Sequence, residues 1–194
     1  MVSAVIMAAG YGKRMGKNKL LLPLGEKLVI DYVMDSIKRC HFKETILVGK
    51  DKEVLSLGIK KGIITVENKA AFKGQSESIK LGLLNSNSDA EAYMFFTGDQ
   101  PFIDEKTINS LLKAHYENKE KIICPIYKGK RGNPVIFPSI YREELLNLQG
   151  DEGGRNIIRR NLESVILVEV EDSKALMDID TPEEYEKLIG EINE

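Results

Sequence analysis

The sequence predicts an α/β fold in three layers, a mostly parallel sheet wound on both faces by helices, with residues 1–194 forming a single domain. Three observations predict it. Short, wholly apolar runs recur along the chain, as strands buried on both faces require. Stretches with helical periodicity lie between them, and strand-helix-strand rotation implies right-handed crossovers. At 194 residues, with 42% hydrophobic and 30% charged residues, the chain can bury one large core without cross-links.

The elements follow in order. Val2–Ala8 is the first buried strand, followed at Thr45–Val48, Ile63–Val66, Ala92–Phe96 and Ile122–Pro125 by four more. Val29, Tyr32, Val33, Ser36 and Ile37 mark the face of one helix. Ser78, Leu81, Gly82 and Leu84 mark another, and Ile108, Leu111, Leu112 and His115 a third. The last third is less regular: a strand over Asn133–Phe137, helices over Ile140–Leu148 and Gly154–Asn161, and a strand over Val165–Val170. Pro182 opens a terminal helix that Thr181 caps. There is no internal repeat and no low-complexity tract.

Composition excludes several function classes. A formal charge of −2 shows no overall affinity for a nucleic-acid backbone. Cys40 and Cys124 stand alone, without a CxxC or Cys/His cluster, and read as reduced, buried thiols of a cytosolic protein. His41 and His115 are isolated near helix ends and read as surface residues, so no zinc site is expected. Val2–Ala9 is too short for a signal-peptide core with a cleavage region, and no run approaches the ~20 apolar residues of a membrane span. The expectation is a cytoplasmic protein with neither nucleic acid nor membrane as partner.

The strongest local signal is Ala8-Ala9-Gly10-Tyr11-Gly12-Lys13-Arg14-Met15-Gly16, followed by Lys19. Glycines after a buried strand let backbone N–H groups approach a phosphate closely. Arg14 and Lys19 add fixed positive charge, so the partner of this loop should be a polyphosphate. The segment lacks G-K-[ST], and its glycines do not make G-x-G-x-x-G. The alternative is a turn whose lysines are merely solvated. Two acidic motifs follow. Ala92–Phe96 runs into Thr97-Gly98-Asp99-Gln100-Pro101, which puts a carboxylate where open α/β sheets bind ligands. Met177-Asp178-Ile179-Asp180-Thr181-Pro182 reads as a strand with both acids on one side and Asp180 at its end. One or two carboxylates with phosphates and waters suit Mg²⁺; capping or turn roles are the competing reading for each acid.

"MAAGYGKRMGKNKLLLP" resembles the signature of the GT-A-like nucleotidyltransferases, and most closely the branch that attaches nucleotides to molybdopterin, the molybdenum cofactor cytidylyltransferases and molybdopterin-guanine-dinucleotide synthases. "GDQP", "GQSESIKLGL", "RGNP", "GDEGGR" and "DIDTPEEY" continue the resemblance from about Val5 to Tyr185. It implies a Rossmann-like, nucleotide-diphospho-sugar-transferase-like fold. It implies that Ala8, Ala9, Gly10, Gly12, Arg14, Lys19, Gln75, Ser76 and Gly98 bind an NTP, that Arg14 and Lys19 act on the reacting phosphates, and that Asp99 and Asp180 hold the catalytic Mg²⁺. Arg131, Asn133, Asp151 and Arg155 fall to the acceptor. Ala9 is the variant typical of cytidylyl-transferring relatives, where guanylyl-transferring ones carry glycine, so CTP is favoured over GTP. The expected reaction transfers CMP from CTP to the phosphate of molybdopterin and releases pyrophosphate, with a molybdoenzyme or its chaperone as recipient. Two alternatives stay open: another phosphorylated acceptor (a sugar phosphate or methylerythritol phosphate) or the use of GTP, and a non-catalytic nucleotide- or cofactor-binding delivery protein.

Overall fold

The computed structural model describes residues 1–10 and 18–193, with side chains as far as residue 190. In chain order the strands are β1 (Val2–Ala8), β2 (Pro23–Leu24), β3 (Lys27–Leu28), β4 (Glu44–Gly49), β5 (Ile64–Glu67), β6 (Ala92–Thr97), β7 (Ile122–Tyr127), β8 (Lys130–Arg131), β9 (Val135–Pro138) and β10 (Val165–Glu169). The helices are α1 (Val29–Lys38), α2 (Lys52–Lys60), α3 (Gln75–Leu84), α4 (Glu105–Glu117), α5 (Arg142–Leu146), α6 (Gly154–Arg160) and α7 (Pro182–Asn193).

Strand β1 is the axis of the main sheet because every second residue feeds a different core. Val2, Ala4, Ile6 and Ala8 point into one apolar cluster with Val33, Met34 and Ile37 of α1, Val54 of α2, and Ile108 and Leu111 of α4. Val5 points into the other, with Ile79 and Leu83 of α3, Leu145 of α5, and Ile157 and Ile158 of α6. The result is the three-layer α/β architecture that the apolar runs predict. Close packing on both faces relies on glycine. A Cβ at Gly82 of α3 would lie 2.4 Å from Val5 Cγ1, and one at Gly58 of α2 would lie 2.6 Å from Leu47 Cδ2.

The order across the main sheet is β10-β7-β9-β6-β1-β4-β5, with the short β8 attached to β7. β1 pairs in parallel with β4 and β6, β4 with β5, and β10 with β7. β9 runs antiparallel to both neighbours, so the sheet is mostly parallel but mixed. The chain turns outward in opposite directions from β1, toward β4 on one side and β6 on the other. That switch of direction opens a crevice at the carboxyl ends of β1 and β6.

Several details differ from expectation. Met177–Asp180 forms no strand; its backbone meets the end of β6 through Ile179 N–H to Asp99 O at 3.1 Å. The Ile140–Leu148 segment is a 3₁₀ turn and the five-residue α5. Leu84 of α3 is exposed, and the buried face of that helix runs through Ser76, Ser78, Ile79, Gly82 and Leu83. His115 is fully buried rather than at the surface, because the helical repeat that places Ile108, Leu111 and Leu112 in the core carries it inward as well. Burial lowers its pKa and favours the neutral imidazole. Both cysteines are buried and free, as expected. At α7, Thr181 Oγ1 accepts from Glu184 N–H at 3.2 Å while Glu184 Oε2 accepts from Thr181 N–H at 3.0 Å, a reciprocal cap one residue after Asp180.

Candidate active site

The crevice holds a cleft of about 820 Å³. Its floor is the turn after β1, Ala8-Ala9-Gly10, and the turn after β6, Thr97-Gly98-Asp99. Gly98 joins the two: its N–H donates to Met7 O at 3.0 Å, and a Cβ there would press on Ile30 Cδ1 at 3.0 Å. Gly10 is different. A Cβ at Gly10 would meet no atom of the described residues within 4 Å, so no packing among them demands this glycine. Gly12 and Arg14, with Lys13 and Lys17, lie outside the described residues.

Lys19 is placed by the short turn Lys19–Leu21, which Asn18 caps by accepting from Leu20 N–H at 3.2 Å. Its Nζ stands 2.5 Å from Asp99 Oδ2 and 2.7 Å from Asp180 Oδ1, joining residues 161 positions apart. The Lys19 side chain is 13% exposed, that of Asp99 19% and that of Asp180 50%. Burial pulls the Lys19 pKa down, but the two carboxylates outweigh it and hold it above the ordinary lysine value, so the group is a cation. Asp99 Oδ1 is buried and has no hydrogen-bond partner among the described residues.

Asp178 lies on the other side, against a smaller pocket of about 210 Å³. Loss of surrounding water, and then the charges of Asp99 and Asp180, push its pKa up to about 6. Arg131, Asn133 and Arg155 line this pocket above an apolar floor that includes Phe95, Phe137 and Cys124. Met7 and Gln75 border both cavities, which makes them neighbours across a common wall.

The structure thus gathers Ala8, Ala9, Gly10, Lys19, Gln75, Gly98 and Asp99 around one cleft, with Asp180 reaching it through Lys19. Arg131, Asn133 and Arg155 gather around the second. Two expected residues lie elsewhere. Asp151 lines the larger cleft, because the Gly150–Asp151 backbone is packed against Gly74 at the start of α3. Ser76 is fully buried on the inner face of α3, its N–H bonded to Gly150 O at 3.1 Å and its Oγ without a partner among the described residues; Ser78, two residues on, reaches the cleft. Gln100, Asn68 and Phe72 were not singled out by the sequence. Buried Gln100 donates to Leu176 O at 3.1 Å and bonds Asp178, tying the second acidic segment to the first. Its position inside Gly-Asp-Gln-Pro was the available signal.

Two carboxylates on one cation, one of them with a spare buried oxygen, fit a divalent ion that takes its remaining ligands from phosphate and water. No group of three or more His, Cys, Asp or Glu side chains that could together hold a metal ion exists among the described residues.

The profile of the family described as the MobA-like NTP transferase domain matches residues 4–165. The chain belongs to that family. It is a nucleotidyltransferase of the MobA-like type, and an NTP is its substrate. It is 29% identical to the purine catabolism protein PucB of Bacillus subtilis, over 95% of this chain and 94% of that one. It is 31% identical to a probable molybdenum cofactor guanylyltransferase of Natranaerobius thermophilus, over 66% of this chain and 62% of that one. The crystal structure of the homologue of Mycobacterium tuberculosis Rv0371c from Mycobacterium sp. strain JC1 superposes with a TM-score of 0.84, at 26% identity, covering 99% of this chain and 96% of that one. The manganese complex of Rv0371c from Mycobacterium tuberculosis H37Rv has the same fold, with a TM-score of 0.80 at 22% identity over 97% and 98% of the two chains. No described helix of the MobA-like domain is long and apolar enough to cross a membrane.

Proposed function

We propose that the chain, as one cytoplasmic catalytic domain over residues 1–194, transfers CMP from CTP to the phosphate of molybdopterin and releases pyrophosphate. The observation that carries this reading is the pair of adjoining cavities: a nucleotide-sized cleft ending on the Lys19–Asp99–Asp180 cluster, and a smaller pocket with arginines over aromatic rings next to it. The first suits a triphosphate. The second suits a flat, anionic acceptor, with Arg131 and Arg155 for its phosphate and Phe95 and Phe137 under its ring system.

The acceptor phosphate oxygen attacks the α-phosphorus of CTP, a new P–O bond forms, and the bond to the β-phosphate oxygen breaks. Such chemistry rests on positioning and charge neutralisation. Backbone N–H groups around Ala9 and Gly10, with Gly12 and Arg14, cradle the triphosphate. Lys19 carries positive charge to the α-phosphate as charge gathers there. Asp99 and Asp180 would hold Mg²⁺, which supplies charge neutralisation at the reacting phosphates. The acceptor phosphate is already anionic at neutral pH and requires no general base; His115, buried on the inner face of α4, plays no part. Ala9 lines the cleft, and in this reading its methyl group narrows the base site against a purine.

The name of the PucB relative places that protein in purine catabolism, and the guanylyltransferase relative keeps GTP as the competing nucleotide. Pyrophosphate release with each of the four NTPs, with and without molybdopterin, tests both points. CTP turnover that depends on molybdopterin is the expected result; turnover with a sugar phosphate instead would reassign the acceptor. Asp99→Ala and Asp180→Ala should each lower turnover at least ~100-fold with unchanged circular dichroism, and the double variant should lose little more, since either loss already disables a shared site. A single variant with near-normal turnover overturns the metal assignment.

A further inference from the structure

Phe72 is 70% exposed on the wall of the larger cleft, although its ring is among the most apolar surfaces a protein can show to water. It sits in the 3₁₀ turn Ala71–Lys73, which is anchored from both ends. Before it, Asn68 is 1% exposed and spends its polar groups on the turn: its N–H donates to Gly49 O at 2.7 Å, its Oδ1 accepts from Ala70 N–H at 3.0 Å, and its Nδ2 donates to Ser78 Oγ at 3.0 Å. After it, Gly74 N–H donates to Ala71 O at 3.1 Å, and Gly74, at φ +114°, lies so close to Gly150 that a Cβ would come within 2.2 Å of its carbonyl carbon. A buried asparagine and a glycine pair thus fix the backbone that holds an unburied aromatic ring at a ligand cleft.

We propose that Phe72 is the platform on which the base of the incoming nucleoside triphosphate stacks. This rests on reading the larger cleft as the nucleotide site. A phenyl ring offers a planar apolar face and no hydrogen bond, so it contributes affinity for any base and selects none. Stacking therefore separates the two tasks of the cleft. Phe72 holds the base, and choice among bases falls to groups such as Ala9. Because the turn is already rigid, little ordering cost is left for binding.

The chain contains no tryptophan, so Phe72→Trp creates a single fluorescent reporter at this position. With Mg²⁺ present, CTP and GTP should both quench and shift its emission while affinity by calorimetry stays near that of the wild type. Phe72→Ala should raise the Kd for both nucleotides about tenfold or more with an unchanged Tm, and Phe72→Leu, apolar but not planar, should fail to restore it. Wild-type affinity in Phe72→Ala, full rescue by leucine, or tryptophan emission that stays constant while calorimetry reports CTP binding would each overturn the stacking role and leave the nucleotidyltransferase reading standing. Absence of binding of every NTP to the wild type would overturn both.

Discussion

Replacing Lys19 by methionine tests whether one lysine and one divalent ion share the same two carboxylates. Methionine keeps an unbranched apolar stem and removes only the charge. Asp99 and Asp180 would then face each other without a cation, and Asp99 Oδ1 already lacks a partner among the described residues. Removing one partner from a fully buried ion pair costs ~3–5 kcal/mol, while an exposed pair is worth ~0–1 kcal/mol. The Asp99 half is nearly buried and the Asp180 half is half exposed, so the loss in metal-free buffer should be ~1–3 kcal/mol, a fall in Tm of roughly 2–12 °C for a domain of this size. The assay is a thermal melt in EDTA and again in MgCl₂. In the wild type Mg²⁺ must displace an ammonium group already seated between the acids. In Lys19→Met it meets two uncompensated carboxylates, so it should raise the Tm of the variant by more than that of the wild type, in proportion to its greater occupancy. Turnover should nevertheless collapse, because the metal does not replace the lysine at the phosphate. Equal Mg²⁺ shifts in the two proteins, or a variant that melts like the wild type in EDTA, would refute the shared-carboxylate argument.

Glycine positions give a paired test. Gly74→Ala strains a backbone at φ +114° and overlaps Gly150, which should cost ~2–5 kcal/mol and appear as a lowered Tm, whereas Gly10→Ala should keep the Tm and lose nucleotide affinity by calorimetry. Ala9→Gly should narrow the CTP preference measured as the kcat/KM ratio of CTP to GTP, by no more than the ~1–3 kcal/mol that one methyl group can supply; a wild type that uses GTP equally well would dismiss this role of Ala9. Burial pushes the thiols of Cys40 and Cys124 each up to about 11, so iodoacetamide should modify neither at pH 8 until the protein is unfolded. Because both pKa values rise on folding, the folded chain holds these protons longer than the unfolded one. Stability should be unaffected by them below the ordinary value of 9.0 and fall as pH climbs from there toward 11, as urea melts at stepped pH would show.

What could be read from the chain alone was what local chemistry decides. β1, β4, β6 and β7 are apolar runs because both faces are covered, and the structure extends each by at most a few residues beyond its apolar stretch. α2 went unread: Lys52–Lys60 buries only Val54 and Gly58 fully, with Leu57 partly buried beside them, a short stripe in a nine-residue helix. β2 and β3, two residues each, are defined by their pairing and carry no pattern of their own. At Met177–Asp180 the alternation of acidic and apolar residues imitated a strand, but it reflects Met177 and Ile179 packed on the α1–α7 core, with Asp178 turned to the smaller pocket and Asp180 to Lys19. Asp151 and Ser76 shifted role for a single reason, the Gly74–Gly150 contact, which joins loops far apart in sequence and leaves no mark on either besides its glycine. The Lys19 bridge was hidden in the same way: each residue stood in a recognisable motif, and their meeting is a property of the topology.

The order in which these residues leave the ribosome follows from that topology. Lys19 and Asp99 belong to turns that follow the early strands β1 and β6, whereas Asp180 arrives only after β10, in a segment tied back by Ile179 and Leu188. At ~5–20 residues per second, the 81-residue gap between Asp99 and Asp180 (180 minus 99) corresponds to roughly 4–16 s of synthesis. During that interval the nascent chain can assemble most of its parallel sheet while Lys19 neutralises Asp99 alone. Under the proposed metal assignment, transferase competence therefore waits for the segment that carries Asp180.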